Sequence, residues 1–227
     1  VISVLLPSRG RPASLAASIG SLLGKATSPA QVEVLVAADP DDTMTREVAE
    51  TLGDEAHTDY GHDLVRLWVA PERFGYAQLH RYYNALAGMA RGRWCLLWND
   101  DATMLTDGWD VAIMSQDPAV LALSSNLPGG NFFPAWPAAW TAHLGHVSES
   151  PNVDVWISEV GRRVGMERLI PVQVHHDRAD LTGGHQDTTY AEGRAVMGNY
   201  INHPGHDSPT GREARIRDAI TLRQLLG

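Results

Sequence analysis

Cysteine, lysine and long apolar runs are what this chain most lacks. A single cysteine, Cys95, excludes an internal disulfide, and its place in an apolar run makes packing its natural role. Lys25 is the one lysine among 18 basic residues, a bias of the kind GC-rich coding produces. No run nears the ~18 apolar residues of a membrane span, and no basic-then-apolar leader opens the chain. The expectation is a soluble, cytoplasmic protein with no membrane partner. A net charge of −9 opposes broad electrostatic binding to nucleic acid, although a local patch is compatible with it. Signature motifs are missing too. Gly20 and Gly24 before Lys25 imitate a phosphate loop, but the spacing is one residue short, Ala26 replaces the hydroxyl residue, and the segment reads as helix. No Gly-x-Gly-x-x-Gly follows a strand. Ten histidines, among them His175, His176, His185, His203 and His206, occur without a His-Glu-x-x-His or paired-cysteine spacing, which argues against a zinc hydrolase.

What is present is alternation. Apolar strand patterns over residues 2–6, 31–38, 64–69 and 93–98 are separated by helical stripes: Leu15, Ile19 and Leu22; Met44, Val48 and Leu52; Leu79, Tyr82, Tyr83, Leu86 and Met89. This order predicts a parallel sheet with right-handed crossovers. The second half is less regular. A short helix at 111–114, a strand at 120–124 and a helix stripe of Val153, Trp156, Ile157, Val160 and Val164, capped by Asn152, are followed by a strand at 170–174. Residues 126–146 hold Phe132, Phe133, Trp136 and Trp140 among prolines, and read as a substrate-facing wall or a packed irregular segment. Residues 180–209 read as a polar loop. A closing helix is expected to bury Ile216, Ile220 and Leu225, with Arg212, Arg215, Arg217 and Arg223 on a solvated face beside Glu213 and Asp218.

Chemistry concentrates at strand ends. The 93–98 run stops at Asn99-Asp100-Asp101, and two adjacent acids repel each other unless a divalent cation relieves them. Ser8 and Arg9 follow the first strand and Asp39 the second. In a parallel sheet these ends share one edge, where open α/β sheets bind ligands. Asp39 suits a base or ribose; Arg9 or Arg11 suits phosphate oxygens. At the last strand, Val172, Val174 and His176 share one face and His175 takes the other.

The order of these motifs resembles the GT-A-type glycosyltransferases, specifically the family 2-like group. The matching residues are Pro7-Ser-Arg-Gly-Arg-Pro12, Asp39, Gly75, Asn84, Asn99-Asp100-Asp101, Gly108-Trp109-Asp110, Asp154 and His175-His176, over residues 1–180. The resemblance implies an α/β, GT-A (Rossmann-like) mostly parallel sheet flanked by helices, with an irregular acceptor-side segment. It implies a donor-binding half over 1–110, an acceptor and catalytic half over 111–180, and a polar loop with a closing helix over 181–227. It further implies transfer of a sugar from a nucleotide-diphosphate sugar, a UDP-sugar being favoured, to an acceptor hydroxyl; one candidate carboxylate base and no obvious second nucleophile suggest inversion. Carried over, Pro7, Ser8, Arg9, Arg11, Asp39, Asn84 and Asp100 would bind the donor. Asp101 with His176 or His175 would hold Mn2+ or Mg2+, and Asp154 would be the general base. Asn99 stands where the family's first acid is usual, and Val153 where a Glu usually precedes the base.

The chemistry is self-consistent. A nucleoside diphosphate leaves well only when its developing charge is neutralised, and an imidazole ligand favours Mn2+ over Mg2+. Rival readings are a nucleotidyltransferase, which shares sheet, cation and nucleotide, and a non-catalytic sugar- or nucleotide-binding module that would tolerate loss of Asp154. The acceptor is open among saccharides, small molecules, protein side chains and hydroxylated (modified) DNA bases, with Trp136 or Trp140 available to stack on it or to serve as core.

Overall fold

In the computed structural model the described residues are 1–127, 131–178, 191, 192, 195 and 209–226. The expected alternation is there. Strands β1 (Ile2–Pro7), β2 (Val32–Ala38), β3 (Val65–Val69) and β4 (Trp94–Leu97) pair in parallel, separated by helices α1 (Pro12–Lys25), α2 (Thr43–Tyr60) and α3 (Leu79–Met89). The chain continues through β5 (Ala102–Met104), α4 (Trp109–Met114), β6 (Val120–Ser125), β7 (Ala135–Pro137), α5 (Ala138–Leu144), α6 (Val153–Arg163), β8 (Glu167–His176) and α7 (Pro209–Leu226). Among the described residues the eight strands form one sheet in the order β3-β2-β1-β4-β7-β6-β8-β5. β6 and β8 are parallel, whereas β7 and β5 run antiparallel to their neighbours.

Two cores flank the sheet. Ile2, Val4 and Leu6 of β1 face the layer of α1, α2 and α4, and Leu5 faces α3, α5, α6 and α7. Burial on both faces is why β1, β2 and β4 are near-continuous apolar runs, interrupted at Ser3 and Glu33. Local signals set the helix ends. Pro12 opens α1 with its fixed φ. The Asp42 carboxylate accepts from Thr45 N at 3.2 Å to cap α2. Gly161 lets α6 lie against β6, since a Cβ there would meet Val120 Cγ2 at 2.5 Å.

Three expectations are corrected. Residues 126–146 are not irregular throughout: they contain β7 and α5, and Trp136 and Trp140 are 2% and 4% exposed within the second core. They pack and do not face solvent, so neither is available as a stacking platform. In α7 the stripe is rotated. Ile216, Ile220 and Leu225 are exposed, while Ala214, Arg215, Asp218, Ala219 and Leu222 are buried. Trp156 and Glu159 on α6 and His146 just after α5 partner the charged groups there, which apolar periodicity alone could not reveal. Asn152 occupies the N-cap position of α6, but its side chain makes no capping bond. The polar stretch read at 180–209 falls almost entirely outside the described residues.

Candidate active site

The carboxyl ends of β2, β1 and β4 lie side by side, as parallel pairing dictates. After β1 the chain stays attached to β2 through Ser8 N donating to Ala37 O at 3.0 Å. It then turns at Gly10, whose φ of 68° is the left-handed value that favours glycine. Gly10 N donates to Asp42 Oδ2 at 2.7 Å, so the cap of α2 also pins this loop. Arg9 thereby reaches Asp39 Oδ2 (2.8 Å) and both carboxylate oxygens of Asp41 (2.7 and 2.9 Å). Asp39 is buried, and its other oxygen accepts from the Tyr82 hydroxyl. That hydroxyl in turn accepts from Phe74 N and Gly75 N.

The acids after β4 are held from three sides. The Ser18 hydroxyl on α1 donates to Ala102 O (2.7 Å) and accepts from Trp98 Nε1 (2.8 Å). Ser8 Oγ donates to Asp100 Oδ2 at 2.7 Å, and Arg11 donates to Asp100 Oδ1 at 3.0 Å. Antiparallel pairing of β5 with β8 sets Ala102 opposite His176 and Thr103 opposite His175. His176 Nε2 consequently lies 3.2 Å from Asp101 Oδ1. His176 is 4% exposed, and His175 points to the exposed face, as strand alternation requires. Asn126 clamps the His176 backbone in both directions: His176 N donates to Asn126 Oδ1 (2.6 Å), and Asn126 Nδ2 donates to His176 O (3.3 Å). The rings of Phe132 and Phe133 meet the imidazole edge-on at 5.8 and 4.9 Å between centroids.

Asp154 opens α6, half-buried. Burial raises its pKa, opposed by the backbone amides of Val155 and Asp154 and by the charges of Arg178 and His176. Those opposing charges place Asp154 near the β8 end that carries His176. Tyr83, whose hydroxyl donates to Trp98 O, is raised well above its ordinary value by burial, with Asp154, Tyr76, Asp100 and Asp101 adding.

Burial likewise pushes Asp100 up to about 6, against the pull of Arg11. A folded-state pKa above the unfolded value means that ionisation destabilises the fold. Stability is therefore lost as pH rises from 3.8 through about 6, and is regained on acidification. Asp100→Asn is expected to raise thermal stability at pH 7.5 by up to about 3 kcal/mol and to flatten that pH limb. A lower melting temperature in the variant contradicts this account.

Two motif residues leave the site. Asn84 donates to Ser148 O (2.9 Å) and accepts from Val147 N (2.8 Å) and Ser148 N (3.2 Å), so its carboxamide is committed to the turn before α6 and not to a donor. Asp110, fully buried, accepts from Thr27 N (2.8 Å) and Ser28 N (2.9 Å), which ties α4 to the end of α1. Tyr82, Tyr83, Ser18, Asn126 and Asp42 were not anticipated as site supports. Each is an ordinary helix or loop residue until the sheet order is known.

Among the described residues no group of three or more His, Cys, Asp or Glu side chains is preassembled for a metal ion. Asp101 and His176 supply one oxygen and one nitrogen in contact. That pair suits a cation whose remaining positions are filled by a diphosphate and water.

The sheet order, the flanking helices and the acid-bearing edge define the architecture of GT-A glycosyltransferases. No protein-family model matches the sequence, and no curated protein does; the likeness is structural. A mannosyltransferase from Pyrobaculum calidifontis, in complex with GDP-Man and Mn2+, superposes with a TM-score of 0.62 at 13% identity, over 100% of this chain and 75% of that one. S. aureus TarS 1-349 in complex with UDP gives 0.61 at 12%, over 98% and 89%. A further TarS 1-349 structure gives 0.57 at 12%, over 77% of this chain and 60% of that one, so this chain spans less than two thirds of it. GalNAc-T7 with UDP, GalNAc and Mn2+ gives 0.58 at 15%, over 78% and 43%. Among the described residues no helix is long and apolar enough to cross a membrane.

Proposed function

We propose that this chain transfers a sugar from a nucleotide-diphosphate donor, a UDP-sugar being favoured, to an acceptor hydroxyl, with inversion, in the manner of the family 2-like group. The observation that carries the reading is the contact of Asp101 with His176. Two residues 75 apart in sequence meet at the sheet edge that also carries Asp39 and the Arg-bearing loop. The solved neighbours in complex with UDP or GDP-Man, two of them with Mn2+, support the nucleotide-sugar donor and the divalent cation of this reading.

In this reading Asp39 accepts from the base or ribose, with Tyr82 fixing one of its oxygens. Pro7 and Ser8 shape the floor beside the diphosphate, and Arg9 and Arg11 face its charge. Asp101 and His176 hold a divalent cation, preferably Mn2+, with His175 on the outer face. When bound, such a cation neutralises the charge that develops on the departing nucleoside diphosphate. Asp100 supports the loop through Ser8 and Arg11. Asp154, with its raised pKa, removes the proton from the attacking hydroxyl. The attack comes from the face opposite the leaving group, so the anomeric configuration inverts. The acceptor class, from saccharide to hydroxylated DNA base, is left to the experiment.

Thermal stabilisation should be screened with UDP, GDP, CMP and dTDP compounds, each with and without Mn2+. At 100 times its dissociation constant a ligand adds ~2.7 kcal/mol. One nucleotide diphosphate is expected to stabilise strongly and only with Mn2+. Indifference to every nucleotide in both conditions overturns the proposal.

A further inference from the structure

We infer that Arg11 makes cation binding and nucleotide binding depend on each other: it serves as the internal counter-ion of the acid pair until a diphosphate draws it away. The inference rests on the donor-site reading above. Arg11 Nη1 lies 3.0 Å from Asp100 Oδ1 and 3.9 Å from Asp101 Oδ2. It thus sits between the two acids, on the opposite carboxylate oxygen of Asp101 from His176. Its side chain is 16% exposed, so solvent screens these contacts only partly. Its backbone is fixed where α1 begins, with Leu15 N donating to Arg11 O at 2.9 Å. The long side chain is therefore the part able to change partner while the loop stays in place.

The electrostatics give the direction of the coupling. Without nucleotide, Arg11 already offsets the charge that would attract a cation to Asp101, and an arriving cation meets a like charge close by. With nucleotide, the diphosphate brings acceptor oxygens that a planar guanidinium matches in pairs. Arg11 then gains a partner of its own, and Asp101 is released to the cation. Metal alone binds weakly, nucleotide alone binds weakly, and each strengthens the other by the same factor, as linkage demands.

The test measures Mn2+ affinity by the electron paramagnetic resonance signal of the free ion, with and without UDP and in parallel GDP, in the wild type, Arg11→Met and Arg11→Lys. Arg11→Met is expected to bind Mn2+ alone at least about tenfold more tightly than the wild type. It should bind the nucleotide more weakly, and its coupling factor should fall at least about tenfold. A purely structural role for Arg11 would weaken both. Arg11→Lys keeps the charge but loses the fork, and its coupling should fall at least about threefold; it decides the matter if Arg11→Met does not fold. Coupling that survives unchanged in the variants, beside a wild type that binds Mn2+ with nucleotide, overturns the role of Arg11 alone. Absence of Mn2+ binding in every protein, with or without nucleotide, overturns the donor-site reading and this inference together.

Discussion

Asp154→Asn is expected to slow glycosyl transfer about 100- to 10,000-fold, the range over which a positioned general base contributes, while leaving nucleotide-dependent stabilisation in place. Asparagine keeps the shape and an acceptor oxygen for the amides that Asp154 engages at the start of α6. Because burial raises the Asp154 pKa, its ionised form costs the fold stability, so the neutral asparagine is expected to leave stability at neutral pH unchanged or slightly raised. What asparagine cannot do is take a proton. The wild type should also show an acidic limb in its rate profile above the ordinary carboxylate range, because burial raises the Asp154 pKa. Activity is lost as pH falls through that value, since a base must be ionised to act. Single-turnover rates with saturating donor, measured across pH for both proteins, check both parts. Turnover in Asp154→Asn equal to wild type would remove Asp154 from the mechanism and leave it as a helix-start acid.

The site was legible wherever its position follows from strand geometry. Asp39, Asp100 and Asp101 follow strands buried on both faces, and such strands announce themselves as near-continuous apolar runs, β2 being interrupted at Glu33. Period-2 alternation with Val172 and Val174 puts His176 on the inward face and His175 on the outer one, as observed, but leaves open which of them would ligate a metal. Illegible were the contacts made across the fold by residues with no periodic signature. Asn84 looked like a donor ligand, yet its amide matches the backbone of the turn before α6, 63 and 64 residues away. Asn126 holds the His176 backbone across 50 residues from the end of a strand, beside a register shift in the β6–β8 ladder. Trp136 and Trp140 sit in a stretch of aromatics and prolines that reads equally as wall or core; the antiparallel pairing of β7 with β4 puts Trp136 inside, and the packing of α5 in the second core puts Trp140 there.

The greatest departure from sequence reasoning is in α7, and it carries the largest expected stability effect. Asp218→Ala should destabilise the protein by about 3–5 kcal/mol, the scale for stripping one member from a buried charged network. Asp218 is 2% exposed, and its Oδ2 accepts from His146 Nε2 at 3.0 Å and Trp156 Nε1 at 2.9 Å. One carboxylate oxygen thus joins α7 to the end of α5 and to α6. Alanine leaves the indole N–H and the imidazole buried without that acceptor, and such groups are expensive to strand. Arg215, one turn earlier and 1% exposed, reaches Glu159 Oε2 at 2.5 Å and lies 5.5 Å from the Trp156 ring. The two charges are therefore part of how α7 docks, which explains why its buried stripe is not the apolar one. His146 adds a pH signature. Its bond to Asp218 raises its pKa above the ordinary value. The protonated pair contributes fully below the unfolded histidine pKa, and that contribution is lost as pH rises through the raised folded value. Urea unfolding across this window should show wild-type stability declining on the alkaline side, with the decline absent from Asp218→Ala. A loss below about 1 kcal/mol in the variant would mean that α7 is held by Ala214, Ala219 and Leu222 alone, with the buried charges contributing nothing net.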